Sequence, residues 1–298
     1  MTNRYTLEDI VFKSNTRYPH LSTDLPNCNP MLKIFRMITG TINCNDSYLD
    51  KKYKLRTNFT DFSTSYNTQL NQSIVENNFP DEVKLKDLNI FFRRARFNRD
   101  FYSSIEPELI KCLIANEKEN YFESFFYLYR ILEGISYTIP LIYVSKNKNY
   151  DKTFRQLQSF FGKDKDGELL FFRKFISATF KDEDFYNSSY TVDFNTIEIE
   201  ELKSKYYEIY LKRINEKCIV DSTEDEKIDI SFIGLYDFII EMRNRYFHLK
   251  KGSWQDNISS TNVLYPDFFF KPVIKKAINW VGIVLFEIIK LDYEKGKS

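Results

Sequence analysis

The sequence predicts a mainly α-helical protein, a helical bundle preceded by a small mixed or irregular N-terminal region. Three observations carry this. From residue 104 onward apolar residues recur at helical spacing through several long segments. The first hundred residues lack that periodicity; they are rich in Asn, Thr and Ser and are broken by Pro19, Pro26, Pro30 and Pro80. The aromatic content of 17% (28 Phe, 21 Tyr, 2 Trp) supplies bulky apolar mass and argues against disorder. With 298 residues the chain is long enough for a sizeable core. We place the boundary between an N-terminal region of unassigned fold, 1–104, and a helical domain, 105–298.

Taken in order, residues 10–12 and 34–38 read as strands or short helices between loops. The N-terminal region ends in FFRRARFNRDF, residues 91–101, where Arg93, Arg94, Arg96 and Arg99 interleave with Phe. Such a stretch is either a solvated linker or helix face, or a patch that grips phosphates and stacks bases. Ser103 and Ser104 then offer caps, Pro107 suits a first helical turn, and Glu106 and Glu108 complement the helix dipole. Helical periodicity runs from Leu109 to Ile139, with a break at 116–120, and Pro140 ends it. Further helices are expected at about 151–161, 167–180 and 200–218. An acidic loop, 221–226, introduces a helix beginning near Ser231, and a polar loop at 250–262 precedes a last helix at about 268–292. No internal repeat and no sustained heptad is visible.

Several function classes drop out. Lys and Arg number 43 against 42 Asp and Glu, so nucleic-acid binding would have to rest on a local patch rather than on overall basicity. No apolar run reaches the roughly 18 residues of a membrane span; the longest, 131–144 and 280–289, are interrupted by Glu133, Gly134, Pro140 and Glu287. The start, MTNRYTLEDI, has no apolar core of a secretory signal. Cys28, Cys44, Cys112 and Cys218 form no CxxC pair, which fits free thiols in the cytoplasm. Eight scattered glycines make no dinucleotide fingerprint or Walker loop, and FGKDKDG at 161–167 lacks phosphate-cradling spacing. No cofactor and no metal is expected: His20, Cys28 and Cys44 match no zinc module. Glu82-Val83-Lys84 has the ExK form of restriction-like nucleases but lacks a well-spaced Asp in a recognisable strand. Only His20 and His248 are available for imidazole chemistry.

The segment 231–250, SFIGLYDFIIEMRNRYFHLK, is the most informative. On a wheel of about 100° per residue, Gly234, Asp237, Glu241, Asn244, Arg245 and His248 fall within roughly 60° of Glu241. Nearly everything else is apolar, so this helix should be buried around most of its circumference with one polar seam. Arg243 breaks the pattern, landing near 200°, between Phe232, Tyr236 and Ile239. An unpaired buried guanidinium is expensive and cannot deprotonate. It must pair with a carboxylate, snorkel along its stem, or sit on a helix that departs from ideal geometry before reaching it. Glu241 and Glu133 are the candidate carboxylates, with a plain pairing of Glu133 to Arg130 as the alternative for the latter. Arg243 and His248 are five apart, roughly 140° on a regular helix, whereas Asn244 and His248 share a face.

Arg243-Asn244-Arg245-Tyr246-Phe247-His248 resembles the signature of the HEPN superfamily, in which an Arg, commonly followed by Asn, precedes a His by four to six residues. The earlier helix with YRILEGI and the closing C-terminal helix are also similar to that family, and the resemblance covers about 105–292. It implies a metal-independent endoribonuclease acting as a homodimer, in the role of a bacterial toxin or antiphage, abortive-infection effector. The implied cleavage centre is Arg243 and His248 with Asn244 in support, backed by Glu133, Glu241 and Arg130. Arg245, Lys250 and Lys251 form a basic cluster at its mouth that would hold RNA, or would merely complement a helix end; Arg93, Arg94 and Arg96 are further RNA-binding candidates. Region 1–104 would select RNA or meet an antitoxin or trigger protein. The alternative is a catalytically inactive HEPN module that binds RNA, a nucleotide or a partner protein. Tyr246 and Phe247 are read as core, and Trp254 as a residue of a polar loop, with stacking on a base as the lesser alternative.

Overall fold

The structure, a computed structural model, describes residues 4–10, 17–24, 28–67, 69–76, 79, 82–146, 149–160, 168–247 and 257–296. Two compact units appear, one formed by residues 1–118 with 281–298, the other by 119–280. This division differs from the expected one at 104/105, both in the position of the boundary and in the return of the C-terminus to the first unit.

In the first unit, β1 (Tyr5–Asp9), β2 (Ile42–Asp46) and β3 (Lys51–Leu55) form an antiparallel sheet in that order, with Cys44 opposite Leu7 and Tyr53. Between β1 and β2 runs α1 (Pro30–Ile38), so 34–38 is helical; Asn29 accepts from the Met31 N–H and Pro30 begins the first turn. The helices α2 (Gln72–Glu76), α3 (Leu85–Arg94) and α4 (Arg99–Glu117) follow. Arg36 is buried, 3.0 Å from Asp9, and donates to the Leu21 and Thr41 carbonyls, so the buried charge is paired and its donors are used.

α4 starts at Arg99, after Asn98 in the left-handed region (φ 54°), which corrects the expected start at Ser103 or Ser104 and puts Pro107 inside the helix. Tertiary pairing explains the earlier start: Tyr102 is fully buried and its hydroxyl donates to Asp292 at 2.6 Å, while Asn98 donates to the same carboxylate. Glu82 lies in an exposed turn and Lys84 is the N-cap of α3, so the ExK residues stand outside any strand.

The second unit begins with α5 (Tyr121–Ser136), α6 (Thr138–Lys146), α7 (Tyr150–Phe160) and α8 (Glu168–Phe180). Pro140 sits in the first turn of α6, where its missing N–H costs nothing, and so it does not end the helical run. After β4 (Ser189–Asp193) and α9 (Glu200–Arg213) comes a hairpin, β5 (Ile219–Thr223) and β6 (Lys227–Ser231), completing a sheet of order β4-β6-β5. The expected acidic loop is the tip of this hairpin, with Asp225 at φ 58°. Buried Tyr190 and Val192 on β4, and Ile228 and Ile230 on β6, alternate with more exposed residues.

β6 leads directly into α10 (Phe232–Met242), whose first turn is capped by Ser231 accepting from the Gly234 N–H. Gly234 has no room for a side chain, since a Cβ would lie 2.5 Å from that of Cys218. A π-helical turn, Arg243–Phe247, continues α10, and α11 (Pro266–Lys295) closes the chain, its residues to 280 belonging to this unit. Trp280 of α11 is fully buried, stacks on Phe232 and Tyr236 at 5.2 and 5.5 Å, and donates from Nε1 to the Phe232 carbonyl. Among the described residues no helix is long and apolar enough to cross a membrane.

Trp280 therefore anchors the start of α10. Trp280→Ala should lower the unfolding free energy by about 3–5 kcal/mol, read from the urea midpoint. A loss below about 1 kcal/mol would show that α10 is held by other contacts.

Candidate active site around Arg243

α10 is apolar on most sides, and its seam residues are satisfied one turn at a time. Asp237 meets Arg173 of α8 at 2.8 Å. Glu241 meets Arg245 at 2.7 Å, with Arg213 of α9 3.8 Å away. Glu241 is thus engaged by two other arginines, which leaves Arg243 to Glu133.

The change in helix geometry begins at Arg243 itself, not before it. A π turn closes i→i+5 hydrogen bonds and swings its residues round relative to an α-helix; such turns are common at functional sites. The Arg243 guanidinium lies over the Tyr129 ring of α5, 4.7 Å from its centroid, with Nη2 3.6 Å from Glu133 and Nη1 donating to Asn244 Oδ1 at 3.0 Å. Its Nε is buried and makes no hydrogen bond among the described residues. Of the three expected ways to accommodate Arg243, the structure shows the carboxylate partner; the helix keeps α geometry up to Arg243 (φ −56°, ψ −49°) and departs from it only from there on. The carboxylate is half-exposed (48%), and the Arg243 side chain is 23% exposed.

Phe126, Tyr129, Arg130 and Glu133 from α5, with Arg243 and Phe247 from the π turn, line a cavity of about 410 Å³. α5 supplies these residues at spacings of three and four, which place them on one face. Burial pushes the Tyr129 phenol above its usual range; hydrogen bonding to Glu133 adds to the rise and the Arg243 charge opposes it. Tyr129 is accordingly a neutral platform for the cation. Phe247 stacks on Phe122 and Phe125, and Tyr246 meets Phe122 and Phe270 edge-on, so both pack into an aromatic cluster that holds the π turn. Beyond the turn, the Ile258 N–H donates to the Arg245 carbonyl.

The structure thus brings together Arg243, Asn244, Glu133 and Arg130, and places Glu241 with Arg245 on the seam. His248, Lys250, Lys251 and Trp254 lie outside the described residues. Arg245 is only 15% exposed and committed to Glu241, the arrangement of an internal ion pair. Arg93, Arg94 and Arg96 are exposed at and after the end of α3, in the first unit. Sequence reasoning missed Tyr129, Phe126, Arg173 and Arg213; for Tyr129 the available signal was its four-residue spacing from Glu133. Among the described residues no group of three or more His, Cys, Asp or Glu side chains is placed to hold a metal ion. No protein-family model, curated protein or solved structure matches the chain.

The Asp237–Arg173 pair gives the seam a pH signature. Burial pushes the Asp237 carboxyl up to about 6, against the opposing pull of Arg173. A raised acid holds its proton in the folded state between about pH 4 and 6, where the unfolded chain has lost it, so it adds stability as pH falls through that window. Relative to Asp237→Asn, which cannot titrate, the wild type should gain on the order of 2 kcal/mol between pH 7 and pH 4.5. Urea titrations at the two values measure the difference, and a relative loss on acidification would mean that Arg173 outweighs burial.

Proposed function

We propose that this protein is a metal-independent endoribonuclease of HEPN type, with Arg243 and His248 as its cleavage centre and Asn244 in support. The observation that carries this reading is Arg243: a permanent cation set on a π turn, resting on a neutral aromatic ring at the wall of a cavity, with no partner for its Nε among the described residues. A guanidinium held this way suits a phosphate oxygen, and can stabilise the charge that builds as the 2'-hydroxyl attacks the scissile phosphorus. Glu133, 3.6 Å away, orients the fork without a tight bond that a phosphate would have to break. His248 follows Arg243 by five residues, within the interval of the signature that the sequence resembles. Its reference pKa near 6.5 suits proton transfer at neutral pH. The products are a 2',3'-cyclic phosphate and a free 5'-hydroxyl.

The homodimer in this reading is supported by one exposed stripe. Phe126, Arg130, Glu133, Tyr137, Leu141 and Val144 are all exposed and follow one another at intervals of three or four along α5 and α6. Tyr137 is 63% and Leu141 71% exposed, and the stripe includes the outer wall of the Arg243 cavity. A second copy covering it would bring two such cavities together. The role as a toxin or antiphage effector, restrained or triggered through residues 1–104, follows from the family resemblance.

Purified protein should cut mixed cellular RNA in EDTA and leave cyclic phosphate ends. Arg243→Ala should reduce cleavage about 10²–10³-fold and His248→Ala about 10²–10⁴-fold. Cutting that His248→Ala leaves intact would remove His248 from the site; RNA binding without cutting by the wild type would identify the inactive HEPN module instead. Leu141→Glu, with Tyr137→Glu as a second variant, should shift the protein towards monomer in light scattering and lower cleavage with it. A wild type that is monomeric while fully active would rule out the dimer.

A further inference from the structure

A second cavity, of about 680 Å³, opens among α6, α7 and α8. Its described lining carries four cations, Lys152 of α7, Arg173 and Lys174 of α8, and Lys181 just beyond α8, against one carboxylate, Asp182. We propose that this cavity binds an oligophosphate, a small ligand bearing two or more linked phosphate groups.

Helix electrostatics do not account for the charge. Lys181 complements the C-terminal end of α8, but Lys152 stands in the first turn of α7, where a positive side chain opposes the helix dipole. Cations from two helices converge on one concavity, a recurring arrangement for phosphate groups. Thr179 lines the same cavity, and its buried Oγ1 makes no hydrogen bond among the described residues. The volume falls within the roughly 300–1,000 Å³ of small-ligand sites and is concave, which favours a compact ligand over a nucleic-acid strand. Arg173 faces two ways, lining the cavity while its Nε meets Asp237 on α10, the helix that ends in Arg243. A ligand that draws on Arg173 acts on the seam of that helix.

Calorimetric titration of the full chain with inorganic tripolyphosphate, ATP and adenosine tests the proposal. Tripolyphosphate and ATP should bind, more weakly as salt rises, and adenosine should not. Lys152→Ala and Lys181→Ala, both at exposed positions, should each weaken binding about tenfold, the loss of one charge-assisted contact, with Thr179→Val weakening it less. Arg243→Ala should bind unchanged, which keeps this test separate from that of the ribonuclease site. ATP binding tighter than tripolyphosphate identifies a nucleoside phosphate as the ligand; equal binding identifies the free oligophosphate. Absence of binding by both, or binding lost in Arg243→Ala and retained in the lysine variants, overturns the proposal.

Discussion

A helix that is apolar around almost its whole circumference must be enclosed, and the second unit is organised by that requirement. α10 is met by Trp280 of α11 at its start, by the β5–β6 hairpin at Gly234, and by α8 and α9 along its seam. Every charge on such a helix needs a partner, because an unpaired buried charge is far more costly than a pair is favourable. Asp237, Glu241 and Arg245 find theirs on or beside the helix. Arg243 is provided for only in part.

That partial provision is what makes the position chemically useful. A guanidinium locked by a bidentate carboxylate would have its charge and two of its five donors already committed. One left alone would not stay in a half-buried site. Here the Tyr129 face bears the charge, Glu133 and Asn244 aim it, and Nε has no hydrogen-bond partner among the described residues. The π turn carries a price in backbone regularity and is held by Tyr246 and Phe247 locked among Phe122, Phe125 and Phe270. Residues that read as core in the sequence thus place the cation as well as fill space.

Much of the helical plan was legible because long periodic segments announce themselves: α7, α8 and α11 fall within two or three residues of their expected bounds. The sheet was not. β4, β5 and β6 are five-residue strands in a helical context, and an alternation as short as Ile228–Ile230 carries little weight until a partner strand is seen. The two prolines misled for a related reason. Pro140 and Pro107 read as a stop and a start by local chemistry, yet one begins a new helix and the other lies inside one whose start is drawn forward by the Tyr102–Asp292 contact, 190 residues away in sequence.

By itself the sequence determined the helical class, the enclosed helix beginning near Ser231, the anomaly at Arg243, and the short list of acids able to answer it. These depend on composition and on periodicity within one segment, which a linear reading contains. Only the tertiary structure decided between Glu133 and Glu241, supplied Tyr129, and turned the end of α10 into a π turn. Each of those outcomes depends on which side chains from α5, α8 and α9 arrive at α10. That is a matter of distances between segments far apart in the chain, and no local rule encodes it.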